Sequence, residues 1–172
     1  MKLIVHPEGC KGVIDSVAGS FACALGRGGV TTAKKEGDGA TPAGIWPLRR
    51  LLVRTDRIAP QDIVTGLPVV PIDRQDGWCD DPVHAAYNRP VRLPFAAGHE
   101  VMWRDDHLYD LVVVLGHNDA PSVPGCGSAI FMHLARPDYG PTEGCVALAR
   151  ADLLAVLATV AEGNVIDIRP ES

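Results

Sequence analysis

The chain has 172 residues, of which 47% are hydrophobic and 22% are charged. A chain of this length and composition can bury a sizeable core, and it lacks the polar bias of a disordered protein. Its formal net charge of −5 and pI near 5.6 provide no basic surface for nucleic acid or an anionic membrane. No apolar run approaches the roughly 20 residues that span a bilayer, so the sequence predicts no membrane span.

Glycine and proline are abundant, with 18 and 14 residues. Both interrupt long helices, so they predict short strands joined by many turns. No repeat, low-complexity tract or linker divides the sequence, and we expect a single domain over residues 1–172. The apolar stretch from Met1 to Val5 is too short for a secretory signal, so no export signal is expected.

The first third of the chain predicts a β meander followed by an ordered loop. Short strands are predicted at Leu3 to Val5, Val13 to Val17 and Ser20 to Leu25. The segment from Lys34 to Leu48 combines glycines, prolines and paired charges, which indicates an ordered loop that enters a strand. Leu48 to Arg57 is compatible with a strand or a short helix, because its periodicity fits both.

The middle of the chain predicts extended structure without long helices. Two prolines within Ile63 to Ile72 indicate an edge strand or an extended connector. Asp76 to Pro94 is rich in turn formers yet carries aromatic residues, so we expect a long loop that lines a cleft or covers a core. His99 to Trp103 and His107 to Leu115 resemble the two arms of a hairpin, with the second arm buried on both faces.

The end of the chain holds the clearest helix. Ala149 to Val160 places leucines and valines at helical spacing, with Gly163 near its end. Asn164 to Arg169 then predicts a last strand. Taken together, these elements predict a mainly β domain, a curved sheet or sandwich with one principal helix near the C-terminus.

The stretch from Gly127 to Leu148 carries the candidate chemistry. His133 ends one apolar run and Cys145 begins another, and their separation, 145 − 133 = 12 residues, suits two strand ends joined by a loop. A cysteine reacts as a thiolate, so a nearby histidine can act as its base. Gly144 lets the backbone approach a substrate carbonyl, and the amides of Gly144 and Cys145 form a candidate oxyanion hole.

Two other interpretations of these residues remain open. Both His133 and Cys145 fit ordinary packing positions, since a lone Cys/His pair gives only a candidate nucleophile. A zinc site is also possible if His133 and Cys145 combine with Cys126 or His117, although no paired ligand motif is present. The chain has five cysteines, an odd number that leaves at least one outside any internal disulfide.

Polar residues at the ends of other segments are candidate substrate contacts. His117 and Asn118 follow a buried strand and are placed to orient His133 or to contact substrate, or else to form a turn with an exposed histidine. Tyr87, in the aromatic-bearing loop, is a weaker candidate of the same kind.

Three segments resemble one family in the same order along the chain. Thr41-Pro42-Ala43-Gly44-Ile45-Trp46 is similar to the TPxGxF segment of the L,D-transpeptidase catalytic domain family, also called YkuD or ErfK/YbiS/YcfS/YnhG. Phe131-Met132-His133 resembles its histidine strand, and Thr142-Glu143-Gly144-Cys145-Val146 resembles its nucleophile motif. The resemblance extends from about Leu3 to Ile168 and is closest to a short branch with GSAIFxH and PTxGCVAL segments.

The resemblance implies a cysteine acyltransferase without a cofactor or metal. Cys145 would be the nucleophile, His133 the general base, and Gly144 with Cys145 the oxyanion hole. The family's reaction forms a thioester with the third residue of a peptidoglycan tetrapeptide stem, expels D-alanine and passes the acyl group to a neighbouring stem. Its partners are therefore stem peptides, as donor and acceptor, and we expect the protein to act as a monomer.

The sequence departs from the family pattern around the nucleophile. Glu143 stands where many members have His or Arg, and Ala147 stands where many carry Arg. The loop between His133 and Cys145 is also short. These differences leave the Cys/His pair intact and concern the recognition of the acceptor or of a carboxylate, which makes Glu143 a candidate substrate contact. The family's substrate implies a place in the periplasm or cell envelope.

Overall fold

Strands dominate the chain, as the glycine and proline content predicts. The computed structural model describes residues 1–171. Its elements, in chain order, are β1 (Lys2–Glu8), β2 (Lys11–Ser16), β3 (Gly19–Ala24), β4 (Val30–Thr31), β5 (Thr41–Pro42), β6 (Gly44–Val53), a 3-10 turn (Pro60–Asp62), β7 (Val69–Pro71), β8 (Asp76–Cys79), β9 (Pro90–Arg92), β10 (His99–Val101), β11 (Leu111–Leu115), β12 (Phe131–Leu134), β13 (Val146–Leu148), α1 (Arg150–Leu157) and β14 (Val165–Ile168). The mainly β prediction with one helix is confirmed.

The largest sheet curves into a barrel. Its nine strands run in the order β11-β12-β13-β3-β2-β1-β14-β6-β7, and β11 also pairs with β6. That additional pairing closes a ring of eight strands, with β7 added at β6. The interior is filled by alternate side chains, one or more from each strand of the ring: Leu3, Ile14, Cys23, Leu51, Val113, Met132, Val146 and Ile166.

The single helix completes this interior. Leu153, Val156 and Leu157 of α1 are buried in the same hydrophobic cluster as the barrel strands. The helix is shorter than the predicted Ala149 to Val160, because Thr159 and Val160 donate their amides to carbonyls three residues back and tighten the end into a turn. Among residues 1–171 no helix reaches the length and apolarity needed to cross a membrane.

A second, three-stranded sheet covers part of the outer face of the barrel. Its order is β10-β8-β9. Trp78 of β8 packs edge to face on Phe131 of β12, with ring centroids 5.1 Å apart. The two residues belong to a second hydrophobic cluster, which also contains Cys145. The candidate nucleophile therefore lies between the barrel and this smaller sheet.

Most predicted strands are confirmed. The first three strands form an antiparallel meander, and Leu111–Leu115 is buried along its whole length. Of the segment from Leu48 to Arg57, which the sequence left open between strand and helix, the part up to Val53 belongs to strand β6. The apolar runs on both sides of the central loop are the parallel strands β12 and β13.

The predicted hairpin of His99 to Trp103 with His107 to Leu115 is wrong. β10 pairs with β8, with Glu100 opposite Trp78, whereas β11 pairs with β12 and β6. The connection between β10 and β11 is held to the barrel by arginines: Arg54 donates to the carbonyl of Arg104 at 2.6 Å. The predicted loop from Asp76 to Pro94 likewise contains the two strands β8 and β9.

Candidate active site

Cys145 lies in the turn that leads into β13. The parallel pairing of β12 with β13 places Met132 opposite Val146, so Cys145 comes beside Phe131. The Cys145 Sγ accepts the amide N–H of Phe131 at 3.4 Å, and its S–H donates to the carbonyl of Ala129 at 3.3 Å. The side chain is buried, with 7% of the residue exposed.

The turn before Cys145 is fixed by Thr142. Its Oγ1 accepts the amide N–H of Gly144 at 3.1 Å and donates to the carbonyl of Cys145 at 2.7 Å. The Gly144 amide, predicted as an oxyanion-hole donor, thus already has a partner inside the turn. Thr142 is itself anchored to the end of β3, because its amide donates to the carbonyl of Leu25 at 2.9 Å.

Both the backbone conformation and the lack of room for a side chain require a glycine at position 144. Its φ is +135°, and a Cβ there would lie 2.8 Å from the carbonyl oxygen of Ala40. Ala40 immediately precedes the Thr41 to Trp46 motif, so two of the segments that carry the family resemblance meet at this contact. Thr41 in turn accepts the amide of Gly26 at 2.8 Å and is fully buried.

His133 lies on the same side of β12 as Phe131. Side chains alternate along a strand, and Met132 and Leu134 point into the barrel core. The His133 Nδ1 lies 2.9 Å from the carbonyl of Leu134. A carbonyl only accepts, so Nδ1 carries the proton and Nε2 keeps a lone pair. The ring packs against Tyr109, with centroids 5.2 Å apart.

Both candidate catalytic groups are uncharged in the resting protein. Burial, followed by the negative charge of Glu100, raises the pKa of the Cys145 thiol to about 12. Burial lowers the pKa of His133 to about 4, although the hydrogen bond to Leu134 opposes that shift. At neutral pH the pair is therefore a thiol and a neutral imidazole.

His133 and Cys145 both open to one cavity of about 400 Å³. One wall is the barrel, with Ser128, Ala129 and the pair itself, and another is the loop that carries Lys34 and Glu36. The full lining is Lys34, Glu36, Gly37, Asp80, Glu100, Arg104, Leu108, Tyr109, Ser128, Ala129, His133, Arg136, Glu143 and Cys145. The cavity is rich in charged groups and continuous with solvent.

Sequence reasoning missed several of these lining residues. Tyr109 and Glu100 are the most informative, because the Tyr109 hydroxyl donates to the Glu100 carboxylate at 2.7 Å next to His133. No sequence motif indicated them. Glu100 reaches the site only through the pairing of β10 with β8, which a local pattern does not reveal.

The predicted substrate contacts divide into two groups. Glu143 lines the cavity and forms a 2.8 Å ion pair with Arg27. Tyr87 is buried behind the lining, where its hydroxyl donates to the carboxylate of Glu36. The Tyr87 side chain thus positions a cavity residue.

His117 and Asn118 are not among the residues that line the cavity. The His117 Nε2 lies 2.9 Å from the carbonyl of Cys126, and its ring packs on Trp46 at 4.6 Å. The Asn118 amide donates to the carbonyls of Val123 and Gly127. Both residues thereby order the loop that leads to β12.

Ala147, like His117 and Asn118, is not among the residues that line the cavity. It is buried among Ala24, Ala135 and Tyr139, and it pairs with His133 across the strands.

In the part of the chain that the structure describes, no three His, Cys, Asp or Glu side chains are grouped to hold a metal ion. All five cysteines are free thiols, and only Cys126 is exposed.

The fold and the cavity define a mainly β protein in which a cysteine and a histidine on neighbouring parallel strands share one charged cleft. Comparison with protein families matches residues 12–168 to YkuD, the L,D-transpeptidase catalytic domain. The match covers nearly the whole chain, and the chain belongs to this family. Searches of curated proteins and of solved structures found no match.

Proposed function

We propose that the protein is a cysteine L,D-transpeptidase that acts on peptidoglycan tetrapeptide stems through a thioester at Cys145 and forms 3→3 cross-links. Membership of the family supports the reaction class. The observation that carries the assignment to this site is that Cys145 and His133 line the same cavity, on adjacent parallel strands.

Acylation begins with transfer of the Cys145 proton to His133. In the resting protein the S–H donates to the Ala129 carbonyl, so the thiol turns from that carbonyl towards the free Nε2 as substrate binds. The thiolate keeps the Phe131 N–H as a donor and attacks the carbonyl of the third stem residue. The C–N bond to D-alanine breaks, and the D-alanine amine leaves with the proton from His133.

Transfer completes the cycle. An amine of a neighbouring stem attacks the thioester carbonyl, the C–N bond forms and the C–S bond breaks. The amine gives up a proton, and Cys145 returns to the thiol. Amides of Gly144 and Cys145 are the proposed donors to the oxyanion in both steps, which requires the Gly144 amide to leave or share its contact with Thr142.

Two alternatives on the same scaffold have support. Hydrolysis, in which water replaces the acceptor, is favoured by an exposed Glu143 and a buried Ala147 where many members carry basic residues. A cell-wall peptide-binding module without activity is favoured by the raised pKa of Cys145. In each case the donor peptide occupies the same cavity.

The products from a purified tetrapeptide-containing muropeptide distinguish the three functions. We expect release of D-alanine together with a cross-linked dimer, detected by mass spectrometry. Tripeptide without dimer would replace the transferase by a carboxypeptidase. Unchanged substrate with measurable binding would leave only the binding module. The Cys145→Ala variant, folded and incubated in parallel, is the matched control and should release no D-alanine.

A further inference from the structure

Glu100 is the carboxylate whose charge acts on the Cys145 thiol. It projects from β10 into the cavity that contains Cys145 and His133. One of its oxygens accepts the Tyr109 hydroxyl at 2.7 Å, and the Tyr109 ring packs against His133. Its negative charge is the largest electrostatic influence on the Cys145 thiol after burial. Glu100 therefore lines the same cavity in which an acyl group on Cys145 would be held.

The charge of Glu100 has no cationic partner among the described residues. Its nearest acidic neighbours in the cavity, Asp80 and Glu36, also form no salt bridge there. Of the three cations that line the cavity, Lys34 and Arg104 are paired with Asp38 and Asp106, and Arg136 donates to the carbonyl of Pro141. Burial raises the pKa of Glu100, although the hydrogen bond from Tyr109 opposes that shift; the charge of Asp80 raises the pKa further and that of Arg104 lowers it.

The second half-reaction supplies the missing cation. An acceptor amine arrives at neutral pH as an ammonium ion, and it becomes a nucleophile only after losing a proton. A half-buried carboxylate both attracts an ammonium ion and accepts its proton, and its basicity increases with burial.

We propose that Glu100 binds the ammonium group of the acceptor and takes its proton as the amine attacks the thioester. The inference rests on the proposed transferase function and deepens it. The N–H electron pair becomes the nucleophilic lone pair, the C–N bond forms, the C–S bond breaks, and the proton moves from nitrogen to the Glu100 carboxylate. The nitrogen gives its second proton through His133 to the released Cys145 thiolate, and Glu100 returns to its charged form by losing the first proton to solvent.

This division of labour assigns the two half-reactions to different residues. His133 moves the proton from Cys145 to the leaving amine, whereas Glu100 handles the incoming amine. Tyr109 is a positioning residue, because its hydroxyl orients the carboxylate while its ring holds the imidazole. Removal of the Glu100 charge should therefore slow transfer to a cationic acceptor without slowing acylation.

Single-turnover measurements on Glu100→Gln test the assignment. Gln keeps an oxygen for the Tyr109 hydroxyl and removes the charge. The acyl-enzyme is first formed from a tetrapeptide stem and followed by intact-protein mass, and it is then mixed with one of two acceptors. Glycinamide is largely an ammonium ion at neutral pH, whereas hydroxylamine is uncharged. Glu162→Gln, which removes an exposed charge elsewhere, is the control variant.

Glu100→Gln should form the acyl-enzyme no more slowly than the wild type, because loss of the negative charge favours the Cys145 thiolate, and it should transfer the acyl group to glycinamide about 100-fold more slowly. Its transfer to hydroxylamine should be unchanged, and Glu162→Gln should match the wild type with both acceptors. Equal losses with both acceptors, or no loss with glycinamide, would overturn the assignment. A wild type that forms no acyl-enzyme would refute the proposed function itself, and the role of Glu100 with it.

Discussion

At the scale of single residues, the site contains two groups that burial keeps neutral. The Cys145 thiol and the His133 imidazole each lose hydration on folding, which disfavours their charged forms. A substrate that fills the cavity must supply the interactions that turn this pair into a thiolate and an imidazolium. Under the proposed function, this neutral state protects the resting protein from indiscriminate reaction of Cys145.

Replacement of His133 by Phe should reduce the acid sensitivity of the fold. The pKa of His133 is lowered from 6.5 to about 4, so the unfolded chain takes up a proton between these values and the folded one does not. The resulting stability is complete above about pH 6.5 and is lost as the pH falls towards 4. Denaturant unfolding at pH 7 and pH 4.5 should show a loss smaller by about 2 kcal/mol in His133→Phe.

Val83→Phe, which adds the same aromatic side chain at an exposed position and removes no titratable group, provides the control for this comparison. It should lose as much stability as the wild type between the two pH values. A His133→Phe variant with the wild-type acid sensitivity would contradict the buried, neutral state of His133.

Gly144 should tolerate no side chain. Alanine there adds backbone strain at a φ of +135° and a Cβ 2.8 Å from the Ala40 carbonyl. We expect Gly144→Ala to lower the free energy of unfolding by at least about 2 kcal/mol. Gly163→Ala, at a φ of +84° with nothing within 4 Å, adds only strain and should cost about 1 kcal/mol. Equal costs in thermal or chemical denaturation would show that the Ala40 contact does not matter.

At the scale of elements, the active-site turn between β12 and β13 depends on Thr142. Thr142→Val removes both hydrogen bonds of the hydroxyl with little change in shape. It should slow acylation of Cys145 by about tenfold or more and lower stability by about 1 to 2 kcal/mol. Thr142→Ser, which keeps the hydroxyl, should recover most of the rate. An acylation rate of Thr142→Val equal to the wild type would contradict this role.

Some of the secondary-structure elements around the site could be predicted from the sequence. The parallel strands on each side of the central loop were predictable, because each is a short apolar run bounded by turn residues. The sequence also predicted that His133 and Cys145 would come close, and the structure brings both to one cavity. Their catalytic roles stay a prediction. Only the family resemblance indicated that the Thr41 to Trp46 segment belongs near the site. In the structure, Ala40, which immediately precedes this segment, lies against Gly144.

The hairpin prediction failed because strand pairing is not a local property. β10 and β11 have suitable patterns and a polar connection, yet β10 finds its partner in β8, more than 20 residues earlier. From the barrel side, Arg54 and Arg57 donate to carbonyls of the connection between β10 and β11. These hydrogen bonds compete with the formation of a tight hairpin turn. Glu100, Asp80 and Tyr109 reach the cavity through this arrangement, so their place in the site could not be predicted.

At the scale of the whole molecule, closure of the barrel depends on the last strand. β14 pairs in parallel with β1 and antiparallel with β6, and so joins the first strand of the ring to the strand that closes it. A chain that stops after Asn164 lacks β14 and should lose cooperative unfolding and native circular dichroism. A chain that stops after Arg169 keeps the strand and should unfold as the full protein does. Cooperative unfolding of the shorter chain would contradict this topology.

The whole fold also explains where Cys145, the candidate nucleophile, lies. The barrel interior is filled by apolar side chains, so the cavity forms on the outer face, where the three-stranded sheet and the loop from Lys34 to Gly37 cover β12. The mainly β class followed from composition, whereas this covering sheet did not, because its three strands are short and separated along the chain.

The central claim is that Cys145 is a working acyl acceptor. Incubation of the folded protein with a carbapenem, followed by intact-protein mass measurement, tests it most directly. The wild type should gain the mass of one carbapenem, and Cys145→Ala, with the other four cysteines unchanged, should gain none. A folded wild type without an adduct, or an adduct that persists in Cys145→Ala, would contradict the account.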